Sequence, residues 1–308
     1  MPRAMNNRIG FLIALCVLLA VPAGAQGTPA QAKKLKVYVS VDMEGIGGVV
    51  TGDQLGPGGF EYERFRQFMT SEALAAVNAA KEAGATEILV SDSHGNGQNL
   101  LIEQFPPDVR IIRAWPRRLS MMAGIDSTFD AVLFIGYHTS ATNPKGVRAH
   151  TFSSATLTRV AVNDVPQTEA SWNAAVAGHF GVPVVMISGD DMVIAEVRSQ
   201  IGNIEGAEIK KSLGFHSAST LTPQASCDLI AQRVKTALGR LKDFKPYTVS
   251  TPVRVDLSFK NYRAAEALSY MPGVERVDAR SVRYVAPDML RASDFMVFVT
   301  NYNSSLEP

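Results

Sequence analysis

The sequence predicts an α/β fold, with a mostly parallel sheet covered by helices on both faces and a smaller C-terminal α+β unit. Apolar runs of strand length alternate with long segments of helical periodicity, so that strand, helix and strand follow one another. The run at residues 131–136 is apolar on both faces, as is usual in the middle of a covered sheet. Beyond residue 246, a half-exposed alternating pattern takes over.

The first 25 residues have the pattern of a secretory signal peptide. Arg3 and Arg8 flank a short polar region, residues 9–21 are almost entirely apolar, and residues 23–25 are small enough for a cleavage site. An apolar run of this length is too short to span a membrane as a helix. We therefore expect an exported protein, periplasmic or secreted, in which residues 26–34 form a flexible leader.

The composition of the remaining chain excludes some classes of partner and of cross-link. The whole chain has 308 residues, 46% hydrophobic and 19% charged, which is enough for a large core. Without the signal peptide it keeps 28 basic and 29 acidic residues, and this balance gives no reason to expect nucleic acid or, after export, a membrane as partner. Cys227 is the one cysteine left, so no internal disulfide can form.

The elements of the first half follow the order of a parallel sheet. Residues 37–41 alternate apolar and polar side chains and lead into a glycine-rich turn, which predicts a buried strand. Residues 62–83 have apolar side chains on one helical face, with Gly84 as the stop. The strand predicted next implies a parallel pair with a right-handed crossover. The further elements predicted here are strands at 86–91, 109–113 and 131–136 and a helix at 117–123.

The second half ends in the smaller unit. Residues 151–162 are rich in Ser, Thr and Val and reach a turn at Asn163-Asp164, which predicts an antiparallel ribbon. Residues 242–247 resemble a linker, so we divide the chain into a metal-binding α/β domain at 35–245 and a small α+β domain at 246–308 that forms substrate walls or subunit contacts. The remaining predicted helices cover 166–180, 222–241, 262–271 and 288–299, and the remaining strands 183–188, 253–259 and a pair within 274–285.

Metal-capable side chains follow three of the predicted strands. Asp42 and Glu44 come after the first strand, Asp92 and His94 after the second, and His138 after the third. Because ligands bind at the carboxyl ends of the strands in parallel sheets, we expect these groups to meet at one edge. Mixed carboxylate and imidazole ligands suit zinc or a similar divalent ion.

With Asp42, Glu44, His94 and His138, Glu169 would complete a set of five ligands. An acid near a helix start can also simply complement the helix dipole. Five ligands are more than one catalytic zinc needs. A carboxylate that bridges two ions about 3.5–4 Å apart would use them all.

Together with their neighbours, these residues resemble the D-aminopeptidases of the bacterial dipeptide-permease type, which are dinuclear zinc peptidases. The resemblance implies two zinc ions per subunit, with Asp42 as the bridging carboxylate. It places Glu44 and His94 on one ion, His138 and Glu169 on the other, and makes His150 the catalytic histidine. The motifs that carry it are Ser-Val-Asp-Met-Glu-Gly at 40–45, Ser-Asp-Ser-His at 91–94, Gly-Tyr-His at 136–138, Ala-His at 149–150, Asn-Asp at 163–164 and Gly-Asp-Asp at 189–191.

The resemblance also implies an activity and an assembly. The activity is hydrolysis of short peptides that begin with a D-amino acid, of the D-alanyl type, by a metal-activated hydroxide. His150 would stabilise the oxyanion or pass a proton to the leaving amine. The implied assembly is a homo-oligomeric ring, such as a decamer, with active sites that face an enclosed space.

Two other functions are compatible with the residues. A secreted solute-binding protein would suit an exported two-part α/β chain, and it would bind its ligand without turnover. A dinuclear metal phosphoesterase would use similar ligands, usually with Arg or Lys near the metals, and Arg148 is the one basic residue close in sequence to a proposed site residue. Asp190 or Asp191 could either support a ligand histidine or belong to a turn.

Overall fold

The computed structural model describes residues 1, 2 and 34–302, and residues 34–302 belong to one compact unit. The predicted signal peptide, apart from its first two residues, and the leader up to residue 33 lie outside the described residues. Within the described part, none of the helices combines the length and the apolar character that crossing a membrane requires.

The described residues form twelve strands and six α-helices. The strands are β1 (Leu35–Val41), β2 (Ala85–Asp92), β3 (Arg110–Ile112), β4 (Ala131–Tyr137), β5 (Leu157–Val162), β6 (Val165–Pro166), β7 (Val184–Asp190), β8 (Glu205–Gly214), β9 (Ser217–Thr220), β10 (Val253–Phe259), β11 (Val274–Arg276) and β12 (Ser281–Ala286). The helices are α1 (Tyr62–Glu82), α2 (Glu169–His179), α3 (Asp191–Ile201), α4 (Pro223–Gly239), α5 (Tyr262–Leu268) and α6 (Met289–Asn301).

Two sheets organise these strands. The first has the order β3-β2-β1-β4-β7-β8-β9 and is parallel except for β9, which pairs antiparallel with β8. The second has the order β11-β12-β10-β5-β6 and is antiparallel throughout. The sequence predicts a domain boundary between residues 245 and 246. Because β10 pairs with β5, the second sheet contains strands from both sides of that boundary.

Helices cover both faces of the first sheet, which confirms the predicted fold class. Alternate residues of β1 belong to different apolar clusters: Val37, Val39 and Val41 pack with α1 and α4, whereas Tyr38 packs in the cluster that contains α2 and α3. The second cluster continues through α2 into the antiparallel sheet and α6. The core therefore holds both sheets together through α2.

The helix predicted at residues 117–123 is wrong, because the structure has only a short 3-10 turn at Ser120–Met122. Leu119 and Ser120 have positive φ angles, which interrupt a right-handed helix. The guanidinium group of Arg117 donates to the carbonyl groups of Ala114 and Ser120. The Tyr38 hydroxyl group donates to the carbonyl group of Ala123. Side-chain donors therefore satisfy carbonyl groups of a segment whose backbone is not helical.

The helix predicted at residues 166–180 starts too early. Pro166 belongs to β6, and α2 begins only at Glu169, where Thr168 caps it by accepting a hydrogen bond from the Ser171 amide. The elements α3, β8 and β9 were not predicted at all. The sequence left Asp190 and Asp191 either as support for a ligand histidine or as part of a turn; in the structure Asp190 is the N-cap of α3 and accepts a hydrogen bond from the Val193 amide.

Candidate metal centre

The end of β1 and the turn after it are held tightly against the end of β4. The Asp42 amide donates to the Ile135 carbonyl group at 2.8 Å, and the Gly45 amide donates to the Gly136 carbonyl group at 2.7 Å. A Cβ atom at position 45 would lie 2.1 Å from the Tyr137 carbonyl oxygen, so the turn needs glycine there. This close approach brings Asp42 and Glu44 next to the residue that follows β4, which is His138.

His94 is placed by the loop that follows β2. Asp92, which the sequence also offered as a ligand, accepts hydrogen bonds from the amides of Asn99 and Leu100 and so fixes this loop instead. The Nε2 atom of His94 lies 2.7 Å from the Leu55 carbonyl oxygen. The ring therefore turns its Nδ1 atom towards the carboxylates at the end of β1.

Glu169 and His150 complete the cluster from the other side. Glu169 is the first residue of α2, and its Oε1 accepts a hydrogen bond from the Phe152 amide at 2.6 Å. His150 lies between β4 and β5, and its ring stacks on that of His138 with centroids 4.0 Å apart. The connection that contains residues 150–152 thus orders Glu169 and His150 together.

The six predicted side chains meet at one site. Asp42 uses its two oxygens separately: Oδ1 lies 3.2 Å from His94 Nδ1, and Oδ2 lies 3.3 Å from His138 Nε2. Glu44 Oε2 is 2.9 Å from His94 Nδ1, whereas Glu169 Oε1 is 3.4 Å from His138 Nε2. The cluster therefore has two halves that share Asp42.

All three histidines are oriented in the same way. One ring nitrogen of each faces a backbone carbonyl group. His94 Nε2 faces the carbonyl group of Leu55, His138 Nδ1 faces the carbonyl group of Thr139, and His150 Nδ1 faces the carbonyl group of Arg148. A neutral imidazole that donates at this nitrogen keeps its lone pair on the other nitrogen, which faces the carboxylates. This is the second contact that metal-binding histidines almost always make.

The acids of the cluster attract positive charge. Burial would raise the pKa of Glu44, but the neighbouring His94 holds it well below its ordinary value. Burial would lower the pKa of His94, but Glu44 and Asp42 hold it well above its ordinary value. Burial and the charge of Glu44 raise the pKa of Asp42 itself. The electrostatic field of the site therefore favours cations.

Three atoms of the cluster fit a divalent metal ion. Asp42 Oδ2, Glu44 Oε2 and His138 Nε2 are buried, and although each lies 2.9–3.4 Å from a charged or imidazole neighbour, none makes a contact of hydrogen-bond geometry with a described residue. Such atoms are rare unless something else satisfies them. Ligand atoms of two groups lie within 4.8 Å of one another, Asp42, Glu44 and His138 in one group and His138, His150 and Glu169 in the other. Oxygen and imidazole nitrogen are the donors that zinc binds.

A cavity of about 330 Å³ opens onto this cluster. His150 is among its lining residues, and its side chain is 14% exposed, whereas that of His138 is 1% exposed. The sequence analysis missed the other walls, because no local pattern distinguishes a pocket aromatic or a helix end from ordinary packing. These walls include Trp115, Met121, Phe152 and, from the end of α6, Thr300 and Asn301.

Asp190, the last residue of β7, and Asp191, the first residue of α3, have structural contacts. Asp190 caps α3 and also accepts a hydrogen bond from the Val147 amide at 2.8 Å. Asp191 accepts one from the Ser212 amide. These contacts fit the reading in which Gly-Asp-Asp belongs to local backbone structure.

The sequence and the fold are similar to those of known peptidases. The model of the D-aminopeptidase family matches residues 35–298. A D-aminopeptidase from Bacillus subtilis (strain 168) is 36% identical over 267 residues, which cover 86% of this chain and 97% of that protein. A solved structure, that of the zinc-dependent D-aminopeptidase DppA from Bacillus subtilis, described as a self-compartmentalizing protease, matches with a TM-score of 0.83 and 34% identity. The match covers 88% of this chain and 100% of that one.

Proposed function

The chain belongs to the D-aminopeptidase family, and from this membership we infer that it is a zinc-dependent enzyme that removes the N-terminal D-amino acid from short peptides. One observation of the structure carries the inference furthest. Buried carboxylates and imidazoles from distant segments turn unpartnered acceptor atoms towards one another beside an open cavity. This arrangement is what a metallohydrolase needs.

We propose two zinc ions per subunit, held as the family resemblance implies. Asp42 would bridge them, and its two oxygens, which face different histidines, support this role. Glu44 and His94 would hold one ion, and His138 and Glu169 the other. Zinc bound there supplies a Lewis acid that polarises the peptide carbonyl group and lowers the pKa of the attacking water.

His150 is the proposed catalytic residue. Its Nε2 atom lies 3.6 Å from Glu169 Oε1 and 3.9 Å from Glu44 Oε1, so it faces both halves of the cluster from the cavity side. Because Nδ1 is directed at the Arg148 carbonyl group, Nε2 is the atom that can gain or release a proton towards a substrate. It can stabilise charge on the carbonyl oxygen or protonate the leaving amine.

The proposed substrate is a short peptide of the D-alanyl type. Backbone and side-chain atoms around the cavity, together with the aromatic rings of Trp115 and Phe152, would exclude water from the bound residue. The cavity of about 330 Å³ has room for a short peptide, and the preference for a D-alanyl residue rests on the family resemblance.

The experiment that tests this function uses the chain from residue 26 onwards. We expect the zinc-loaded protein to release D-alanine from D-alanyl-D-alanine, to act much more slowly on L-alanyl-L-alanine, and to lose activity in a chelator until zinc is restored. Equal turnover of the two stereoisomers would contradict the D-specificity.

The same assay tests the two other candidate functions. Hydrolysis of p-nitrophenyl phosphate in place of the peptides would favour the phosphoesterase, although none of the residues described as lining the cavity is Lys or Arg. Binding of a dipeptide without turnover in the presence of zinc would favour the solute-binding protein.

We propose export to the periplasm or the medium, and assembly into a homo-oligomeric ring such as a decamer. The pattern of residues 1–25 supports the first proposal. The description of the solved relative as self-compartmentalizing supports the second. N-terminal sequencing of the protein from cell fractions, and light scattering of the purified protein, test the two proposals separately.

A further inference from the structure

A buried lysine lies directly behind the turn that contains Glu44. This turn, residues 43–49, is called the ligand turn below. Lys210 belongs to β8 and is 2% exposed. Its ammonium group donates to three carbonyl groups of the ligand turn, at 2.6 Å to Glu44, 3.1 Å to Ile46 and 2.7 Å to Val49. All three N–H groups of Lys210 thus hold one short segment of backbone.

A charge in this position is unusual enough to need an explanation. Moving an ammonium group out of water is unfavourable unless hydrogen bonds and opposite charges compensate. Burial lowers the pKa of Lys210 to about 8, while Asp190, Glu72 and Glu44 act in the opposite direction. A neutral apolar side chain would fill the same space without this penalty, so the hydrogen bonds to the turn are what distinguishes Lys210 from ordinary core packing.

A second buried ionisable group contacts the same turn from another element. Glu72 of α1 is 1% exposed, and its Oε1 accepts a hydrogen bond from the Gly47 amide at 2.9 Å. A Cβ atom at position 47 would lie 2.8 Å from Ser226 Oγ and 3.1 Å from Glu72 Oε1, so the backbone is close to both side chains. Lys210 of β8 therefore holds carbonyl groups of the ligand turn, and Glu72 of α1 holds an amide group of the same turn.

We propose that Lys210 is a positioning residue for zinc, which fixes the backbone of Glu44 so that its carboxylate stays beside His94, and that Glu72 supports the same turn. Lys210 acts through the carbonyl group of Glu44 and does not touch the substrate. The proposal rests on the proposed zinc site but not on the identity of the substrate. A ligand whose backbone is fixed loses less entropy when it binds a metal, so affinity falls when the support is removed.

The first test is Lys210→Met with Glu205→Gln as matched control. Glu205 lies on the same strand, is also buried, and pairs with Arg240 at 2.7 Å, away from the ligand turn. Zinc affinity is measured by competition with a chromophoric chelator on proteins that circular dichroism has shown to be folded. We expect Lys210→Met to bind at least one zinc equivalent about 10- to 100-fold more weakly, and Glu205→Gln to bind zinc as the unsubstituted protein does.

Two results would overturn the proposal. One is a folded Lys210→Met protein with unchanged affinity for every zinc equivalent. The other is an equal loss of affinity in Glu205→Gln, which would show a general effect of destabilising β8.

A second pair of variants decides the matter even where Lys210→Met does not fold. Glu72→Gln keeps an oxygen that can accept the Gly47 amide, whereas Glu72→Leu does not. We expect zinc affinity to be retained in the first variant and to fall about tenfold in the second. Equal affinities in the two would overturn the proposal. Since every readout is zinc binding, these results stay informative if the peptide assay fails.

Discussion

Asp42 and Asp256 are both buried aspartates on or next to a strand, but their surroundings differ in kind. Asp256, on β10 of the antiparallel sheet, accepts a hydrogen bond from Arg283 Nε at 2.8 Å and one from Arg254 Nε at 3.2 Å, so both oxygens have charged donors. Asp42, at the edge of the parallel sheet, faces two imidazoles, and its Oδ2 atom has no hydrogen-bond partner among the described residues.

The difference shows what makes a buried acid functional. Arginine has donors only and stays charged, so the charge of Asp256 is fully matched by its own protein neighbours. Imidazoles can lose their proton and then offer a lone pair, so the acids and histidines around Asp42 can together take up a cation. The arginines around Asp256 therefore stabilise the fold, whereas the side chains around Asp42 can still bind a metal ion.

The largest expected effect separates these two aspartates. Asp42→Asn removes the carboxylate that we propose as the bridge between two zinc ions, so we expect less than one bound zinc per subunit and a loss of roughly a thousandfold in kcat. Asp256→Asn should keep zinc and kcat but lower the free energy of unfolding by about 1–3 kcal/mol, since it weakens contacts with half-exposed arginines. Metal analysis, steady-state kinetics and urea unfolding measure these changes. A zinc-free Asp256→Asn protein would contradict the assignment of a purely structural role to Asp256.

The next effect concerns the histidine on the cavity side of the cluster. His150→Ala should reduce kcat by about a hundredfold, because a positioned acid or base is lost, while the zinc content stays that of the unsubstituted protein. His216→Ala, which changes an exposed histidine, is the control and should change neither quantity. Loss of zinc in His150→Ala would instead identify His150 as a metal ligand. It would then belong with the acids and histidines around Asp42 that take up a cation.

A smaller effect is expected where the cavity wall acts on the substrate and not on the metal. Trp115 lines the cavity, its Nε1 donates to the Gly95 carbonyl group at 2.8 Å, and Arg117 lies 3.8 Å from its ring centroid. Trp115→Ala should raise KM about tenfold, or about 1.4 kcal/mol, with zinc content unchanged. Phe60→Ala, at an exposed ring outside the cavity lining, is the control. A decrease in zinc content in Trp115→Ala would contradict this separation.

The sequence predicted the parallel sheet and the convergence of the candidate ligands because both follow from local rules. Asp42, His94 and His138 each follow a strand with a clear apolar pattern, and the edge where parallel strands end is common to all of them. The roles within the cluster came from family resemblance, and these individual roles stay predictions.

The sequence did not predict features that depend on contacts between distant residues. Tyr38 and Arg117 satisfy carbonyl groups of residues 114–123, and the local sequence, which does not show these contacts, led to the wrong prediction of a helix at 117–123. Lys210 is on a strand that the sequence analysis did not recognise, and a lysine is expected at the surface unless its acceptors are known. Its acceptors lie more than 160 residues earlier in the chain.

The smallest expected effect is a pH-dependent difference between two buried glutamates. Glu205 pairs with Arg240, whereas Glu72 has no arginine partner in the described part of the chain. Burial raises the pKa of Glu72 to about 8 from an ordinary 4.5. The folded state therefore holds a proton that the unfolded state releases, and the stability that Glu72 contributes is complete below pH 4.5 and is lost as the pH rises towards 8. Glutamine does not ionise, so the unfolding free energy of Glu72→Gln minus that of the unsubstituted protein should increase from pH 5 to pH 8.

Urea unfolding of the two proteins in the same zinc-free buffers measures this difference. In Glu205→Gln the loss of an arginine-paired carboxylate should lower the unfolding free energy at both pH values. A difference for Glu72→Gln that stays constant or shrinks with rising pH would mean that the folded protein keeps Glu72 ionised. Glu72 would then belong with Asp256 among the acids whose charge the fold itself matches, and Lys210 would be the group that matches it.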